Sequence, residues 1–199
     1  MGVYVGKDKQ RLEMFQTVEK ELKYARFIHT MGVAFTATSL AERYGADMRK
    51  AETAGLLHDC AKYVPVERME RLCEKGGIEI TSFERGNPAL LHSKAGVVLA
   101  RTQYGVNDPE ILDAICCHTT GRPGMTLLDK ILFIADYIEP GRDQATDLDK
   151  VRALAFEDID RCLMKILEDS LNYLATTGRE IDPMTQKTYD YYKARQDNR

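Results

Sequence analysis

No stretch of this 199-residue chain is apolar for long enough to cross a membrane, because a spanning helix needs about 20 such residues. The opening segment, Met1–Gln10, is short and polar and has no apolar h-region of a secretory signal, so residues 1–10 are expected to form a flexible tail. Cys-x-x-Cys pairs are absent, which argues against a thiolate zinc site. The five cysteines are odd in number and lie in or near helical stretches, the pattern of reduced core thiols in a cytoplasmic protein rather than of a disulfide framework. There is no P-loop, no GxGxxG and no GxSxG, so any phosphate chemistry must rely on other groups. With a net charge of −3, no global field favours nucleic acid.

β-branched runs of period two are also missing, and Pro and Gly fall between helical segments. The expected architecture is therefore all-α, one helical domain over residues 11–199. Expected helices cover 11–24, 25–44, 47–62 and 65–75. After 78–87, read as a loop or a loop with one helical turn, come a helix opened by Pro88 and ended near Gly105, and one from Asp108-Pro109 to His118. Thr126 caps the next, which stops before Pro140-Gly141. Residues 147–177 read as one long helix or two, and a last helix follows Asp182-Pro183 and frays from Gln196 onward.

Histidine is scarce, and its placement is informative. All four residues, His29, His58, His92 and His118, sit in apolar or helical contexts. His58 is followed by Asp59 inside Gly55-Leu-Leu-His-Asp-Cys-Ala-Lys62, and Asp136 interrupts Ile131-Leu-Phe-Ile-Ala-Asp-Tyr-Ile, the most apolar stretch of the chain. A carboxylate buried there costs several kcal/mol unless it is paired or metal-bound. Asp59 can bind one metal ion or bridge two. Imidazole and carboxylate donors without thiolate suit Fe, Mn, Co, Zn or Ni, and such a site generates hydroxide near neutral pH and polarises a phosphoryl oxygen. Lys62, on the expected helix at i+4 from His58, cannot ligate while charged and suits a phosphate oxygen, or else it is a solvated lysine at a helix end. Thr119 and Arg142 are further candidates for phosphate contact, with a loop salt bridge to Asp143 or Glu139 as the alternative for Arg142.

The order H…HD…D formed by His29, His58-Asp59 and Asp136 resembles the signature of HD-domain metal-dependent phosphohydrolases, an all-helical superfamily. The strings Arg26-Phe-Ile-His-Thr, Gly55-Leu-Leu-His-Asp-Cys-Ala-Lys, Leu91-His-Ser, Cys117-His-Thr-Thr-Gly and Ala135-Asp-Tyr-Ile-Glu-Pro-Gly-Arg resemble the bacterial YqeK family. Members of that family hydrolyse diadenosine tetraphosphate symmetrically into two ADP. The resemblance implies a helical bundle with the metal site between helices, and iron, as one or two ions, on His29, His58, Asp59 and Asp136. Mn or Co are possible substitutes. It also implies that Lys62, His92, His118, Thr119 and Arg142 contact nucleotide phosphates, with His92 and His118 alternatively holding a second metal. Arg26, Arg179, Ile181 and Pro183 are further expected substrate contacts, the last three toward the nucleoside.

The function expected on this basis is hydrolysis of a dinucleoside tetraphosphate. A metal-bound water held by Asp59 attacks phosphorus, while Lys62 and Arg142 stabilise phosphate charge. A small-molecule nucleotide is the expected partner, with no nucleic acid and no membrane, and a homodimer is a possible assembly. The alternatives are another HD-domain reaction (nucleotide monophosphatase or alarmone hydrolase), a non-catalytic nucleotide sensor, and a helical interaction module with core histidines.

Overall fold

Eleven α-helices carry the chain in a computed structural model that describes residues 7–145 and 147–196. They are α1 (Lys7–Glu21), α2 (Tyr24–Tyr44), α3 (Met48–Leu57), α4 (Val66–Lys75), α5 (Ser82–Gly86), α6 (Leu91–Thr102), α7 (Pro109–Cys117), α8 (Leu127–Ile138), α9 (Leu148–Glu157), α10 (Ile159–Thr176) and α11 (Pro183–Gln196). A short 3-10 turn, Pro88–Leu90, leads into α6. Among the described residues there is no strand and no helix long and apolar enough to cross a membrane.

Helix α1 begins at Lys7, so residues 7–10 are helical rather than part of a tail, while residues 1–6 lie outside the described residues. Residues 197–199, where fraying was expected, lie outside them too. The expected loop at 78–87 contains α5, whose capping box between Thr81 and Glu84 satisfies the first free amides of a very short helix. Residues 147–177 form two helices. Asp158 closes α9 in extended backbone, and its carboxylate accepts the amides of Asp160 and Arg161 to start α10.

Two features set the middle of the bundle. Helix α8 is nearly all core: Leu128, Ile131, Leu132, Phe133, Ile134, Ala135 and Ile138 are buried, so α2, α3, α7 and α10 can all pack around it. Helices α2 and α3 approach closely because Gly55 faces Ala34. A Cβ on Gly55 would stand 2.6 Å from the Ala34 Cα, a distance only glycine permits. That approach brings the end of α3 beside the first turns of α2. On the far side, α6 packs between α4 and α7, and α11 covers the loop after α7, with Thr188 Cγ2 only 2.7 Å from where a Gly121 Cβ would lie.

Candidate metal centre

Helix α3 stops at Leu57, five residues earlier than its apolar periodicity predicts. The chain continues in tight turns, with Cys60 N–H donating to Leu57 O and Lys62 N–H to Asp59 O, each over three residues. His58 caps α3, and its Nδ1 bonds to Gly55 O at 2.6 Å. His92 and His118 repeat that arrangement. His92 Nδ1 lies 2.5 Å from Ala89 O, and His118, capping α7, places Nδ1 2.7 Å from Ile115 O. A backbone carbonyl can only accept, so Nδ1 carries a proton in all three and Nε2 faces the interior, where a cation would take its lone pair.

Those lone pairs converge on two carboxylates. Asp59, 2 % exposed, stands at the centre. Its Oδ2 is 3.4 Å from His58 Nε2 and 3.9 Å from His29 Nε2, while its Oδ1 is 3.1 Å from His92 Nε2 and 3.9 Å from His118 Nε2. Asp136 Oδ1 lies 3.1 Å from His29 Nε2 and 3.9 Å from His58 Nε2. The ligand atoms of three overlapping trios, His29–His58–Asp59, His58–His118–Asp136 and Asp59–His92–His118, each fall within 4.8 Å of one another. The structure thus brings together all six residues singled out from sequence, from α2, α6, α8 and the ends of α3 and α7.

The site fits a metal ion. His29 Nε2, His58 Nε2 and Asp59 Oδ1 are buried without a hydrogen-bond partner, which a shared cation would satisfy. Burial would raise the Asp59 carboxyl, but the imidazoles of His58 and His92 outweigh it and hold it far below the usual carboxylate range. Asp136 is likewise low: burial opposes ionisation, and His29, His58 and Arg142 prevail. Burial, then the neighbouring imidazoles of His92 and His58, push His118 down to about 3, which keeps it a neutral donor. At His58 burial acts downward, yet the Asp59 carboxylate raises it, a measure of the negative field a cation would enter.

Cationic side chains ring this cluster. Arg26 Nη1 donates to Asp59 Oδ2 at 2.9 Å. Lys62 Nζ is 3.2 Å from His92 Nε2 and 3.5 Å from Asp59 Oδ1, so the turn delivers the residue to the site that a continued helix was expected to reach. The Arg142 guanidinium pairs with Asp136 rather than with the carboxylate of Asp143 or Glu139, with Nη2 2.7 Å from Oδ1 and Nε 2.9 Å from the backbone O. Thr119 is half-buried directly after His118. Arg179 is exposed, its guanidinium 5.7 Å from the Tyr173 ring centroid. Ile181 is half-buried and Pro183 opens α11; Glu180, between Arg179 and Ile181, meets Asn87 at 3.3 Å, close in sequence to the turn before His92.

The HD domain model matches residues 26–141, the segment that holds all six residues. The chain belongs to the HD-domain family. It is 41 % identical to the symmetrical bis(5'-nucleosyl)-tetraphosphatase of Bacillus subtilis over 91 % of this chain and 96 % of that protein. It is 39 % identical to the enzyme of the same name from Halalkalibacterium halodurans, over 90 % and 95 %. A crystal structure of a predicted HD superfamily hydrolase involved in NAD metabolism, from Clostridium acetobutylicum, superposes with a TM-score of 0.88. It is 37 % identical and covers 98 % of this chain and 100 % of its own.

Sequence reasoning missed Glu139 as part of this centre. Its carboxylate is buried against His29 Nδ1 at 3.0 Å. The only signal was an acidic residue in a Glu-Pro-Gly turn directly after a core helix.

Proposed function

We propose that this HD-domain protein is a metal-dependent phosphoanhydride hydrolase that cleaves dinucleoside tetraphosphates symmetrically, diadenosine tetraphosphate giving two ADP. The observation that carries this reading is Asp59, one buried carboxylate whose two oxygens face two histidine pairs, with Lys62 and Arg26 at its edge and Arg142 on the neighbouring Asp136. The likeness to two enzymes of that activity over nearly the whole chain supports the substrate class.

His29, His58, Asp59 and Asp136 would hold one metal ion, and His92 and His118 would hold, with Asp59, a second ion or else phosphate oxygens. Iron is the ion proposed, with Mn or Co as substitutes. A bound ion supplies Lewis-acid activation of water and of a phosphoryl oxygen. The residues of the chain do the rest. Asp59 orients the attacking water by accepting its hydrogen bond. Lys62 and Arg142 exchange carboxylate and imidazole neighbours for phosphate oxygens and neutralise the charge that develops on the departing ADP. Arg26 and the Thr119 hydroxyl take further oxygens of the chain of phosphates, and Arg179, Ile181 and Pro183 bound the nucleoside. The whole of 11–199 acts as one domain, in the cytoplasm, with a homodimer as its assembly and neither nucleic acid nor membrane as partner.

A panel of nucleotides with product analysis tests this. ADP as sole product from diadenosine tetraphosphate is the expected result. ATP plus AMP, or preferential turnover of a nucleoside monophosphate or an alarmone, would sink it. Elemental analysis of protein purified without chelator decides the ion.

A further inference from the structure

The four histidines are not held alike. His58, His92 and His118 each direct Nδ1 at the carbonyl three residues earlier, a neutral acceptor supplied by the local chain. His29 directs Nδ1 at the Glu139 carboxylate, 110 residues away, and Glu139 is 3 % exposed. Burying a carboxylate beside a metal cluster is expensive, and the surroundings are shaped around it. Gly141 N–H donates to its Oε2 at 2.6 Å. Gly32, one turn after His29 on α2, leaves it space: a Cβ there would stand 2.4 Å from Oε2. Arg152 on α9 fixes the turn from outside, with Nε 3.0 Å from Ile138 O and Nη2 3.1 and 2.9 Å from the carbonyls of Glu139 and Arg142.

We infer that Glu139 is a positioning residue for His29: its carboxylate holds the imidazole in the Nδ1–H form, aims Nε2 at Asp136, and strengthens His29 as a donor, with Gly32 providing the space this requires. A carboxylate makes a stronger, charge-assisted acceptor than a carbonyl and raises the basicity of the opposite ring nitrogen. Both oxygens are committed, one to His29 and one to the Gly141 amide. Glutamine at this position has a single acceptor oxygen for these two donors and must turn an N–H against one of them. The inference rests on the cluster binding a metal ion, as proposed above.

Two substitutions test it, Glu139→Gln and Gly32→Ala. The second leaves every ligand and the carboxylate itself chemically intact. Manganese(II) affinity, measured by competition with a fluorescent chelator, is expected to weaken roughly 10- to 100-fold in both, the usual effect of removing such a support. The melting midpoint of the metal-free proteins serves as the measure of a purely structural role. In Co(II)-loaded protein, the exchangeable Nδ1–H resonance of His29 is expected to be sharp in wild type and lost or fast-exchanging in both variants. Unchanged affinity and an unchanged His29 resonance in Gly32→Ala and Glu139→Gln would overturn the proposal. So would lowered midpoints with intact affinity, since Glu139 would then only stabilise the fold. A wild-type protein that binds neither Mn(II) nor Co(II) would overturn the metal reading itself, and this inference with it.

Discussion

The two halves of the centre share one carboxylate and differ in nearly everything else. The half built by α2, α3 and α8 sets His29 and His58 against two aspartates, through Asp59 Oδ2 and Asp136 Oδ1, with Glu139 behind. The half built by α6 and α7 sets His92 and His118 against Asp59 Oδ1, with Asp136 farther off but still within 4.8 Å of His118, and Lys62 stands 3.2 Å from His92 Nε2. The first half therefore holds more carboxylate charge, but Arg26 and Arg142 already stand against its oxygens, 2.9 Å from Asp59 Oδ2 and 2.7 Å from Asp136 Oδ1. In the second, fewer carboxylate oxygens and the Lys62 ammonium group suit either a weaker ion or the oxygens of a phosphate. The lesson is that equal numbers of imidazoles do not make equal sites, because the carboxylates, and the cations already paired with them, set the charge that an entering ion meets.

Asp59→Ala tests what the halves share, and its effect should be the largest. Removing the one side chain that serves both should empty the protein of metal and reduce ADP release to the uncatalysed rate. Metal content equal to wild type would mean that Asp59 bridges nothing. Next in size come Lys62→Ala and Arg142→Ala, one cation from each half. Each should lower kcat roughly 10²- to 10³-fold, about 2.7–4 kcal/mol, the usual loss for one preorganised electrostatic donor. Metal content should stay at the wild-type level in both, and its loss in either would move that residue from substrate to scaffold.

His92→Ala separates the halves directly. If the second half holds an ion, the metal-to-protein ratio should fall from about two to about one, with the first ion retained. If it holds phosphate, the ratio stays constant and ADP affinity falls instead. The reverse pattern, loss of both ions on removing His92 alone, would break the comparison, because it would make the carboxylate-poor half the stronger one.

Much of this centre was legible in the sequence because its residues are costly where they stand. Two histidines and two aspartates inside Leu-Leu-His-Asp, Ile-Cys-Cys-His and Ile-Ala-Asp-Tyr-Ile demand a reason, and their convergence supplies one. Glu139, Gly32 and Gly55 made no such demand. An acidic residue before Pro-Gly reads as a solvated turn, and its burial follows only from the packing of α2 and α9 on α8. Gly55 and Gly32 matter through what they leave out, which appears only once Ala34 and the Glu139 carboxylate are known to lie opposite. The end of α3 was misplaced for a related reason. Cys60 and Ala61 are buried, so the apolar stripe runs on past Leu57, but the backbone has already tightened into three-residue turns. Those turns are what aim Asp59 in two directions.

The smallest effect concerns how the second half is held. Helix α6 carries His92, and two residues later Lys94 Nζ reaches back to Glu84 Oε2 at 2.7 Å and to Glu79 O at 2.8 Å, tying the helix to α5 and the loop before it. Burial alone would raise the Glu84 carboxyl, but Lys94 and the Thr81 amide and hydroxyl outweigh burial and lower it from its ordinary 4.5. A carboxyl with a depressed folded-state pKa stabilises the fold at pH above its unfolded value and loses that contribution as pH falls through the folded one. Glu84→Gln should therefore cost about 1 kcal/mol near neutral pH, the scale of a partly exposed ion pair, and the difference from wild type should close as pH drops below about 4.5. Chemical denaturation of the metal-free proteins at several pH values measures it. A difference that persists undiminished well below that pH would mean that the side chain packs rather than pairs. At neutral pH the same substitution should weaken whatever His92 binds while leaving the first ion untouched, since nothing in the His29–His58–Asp136 half leans on α5.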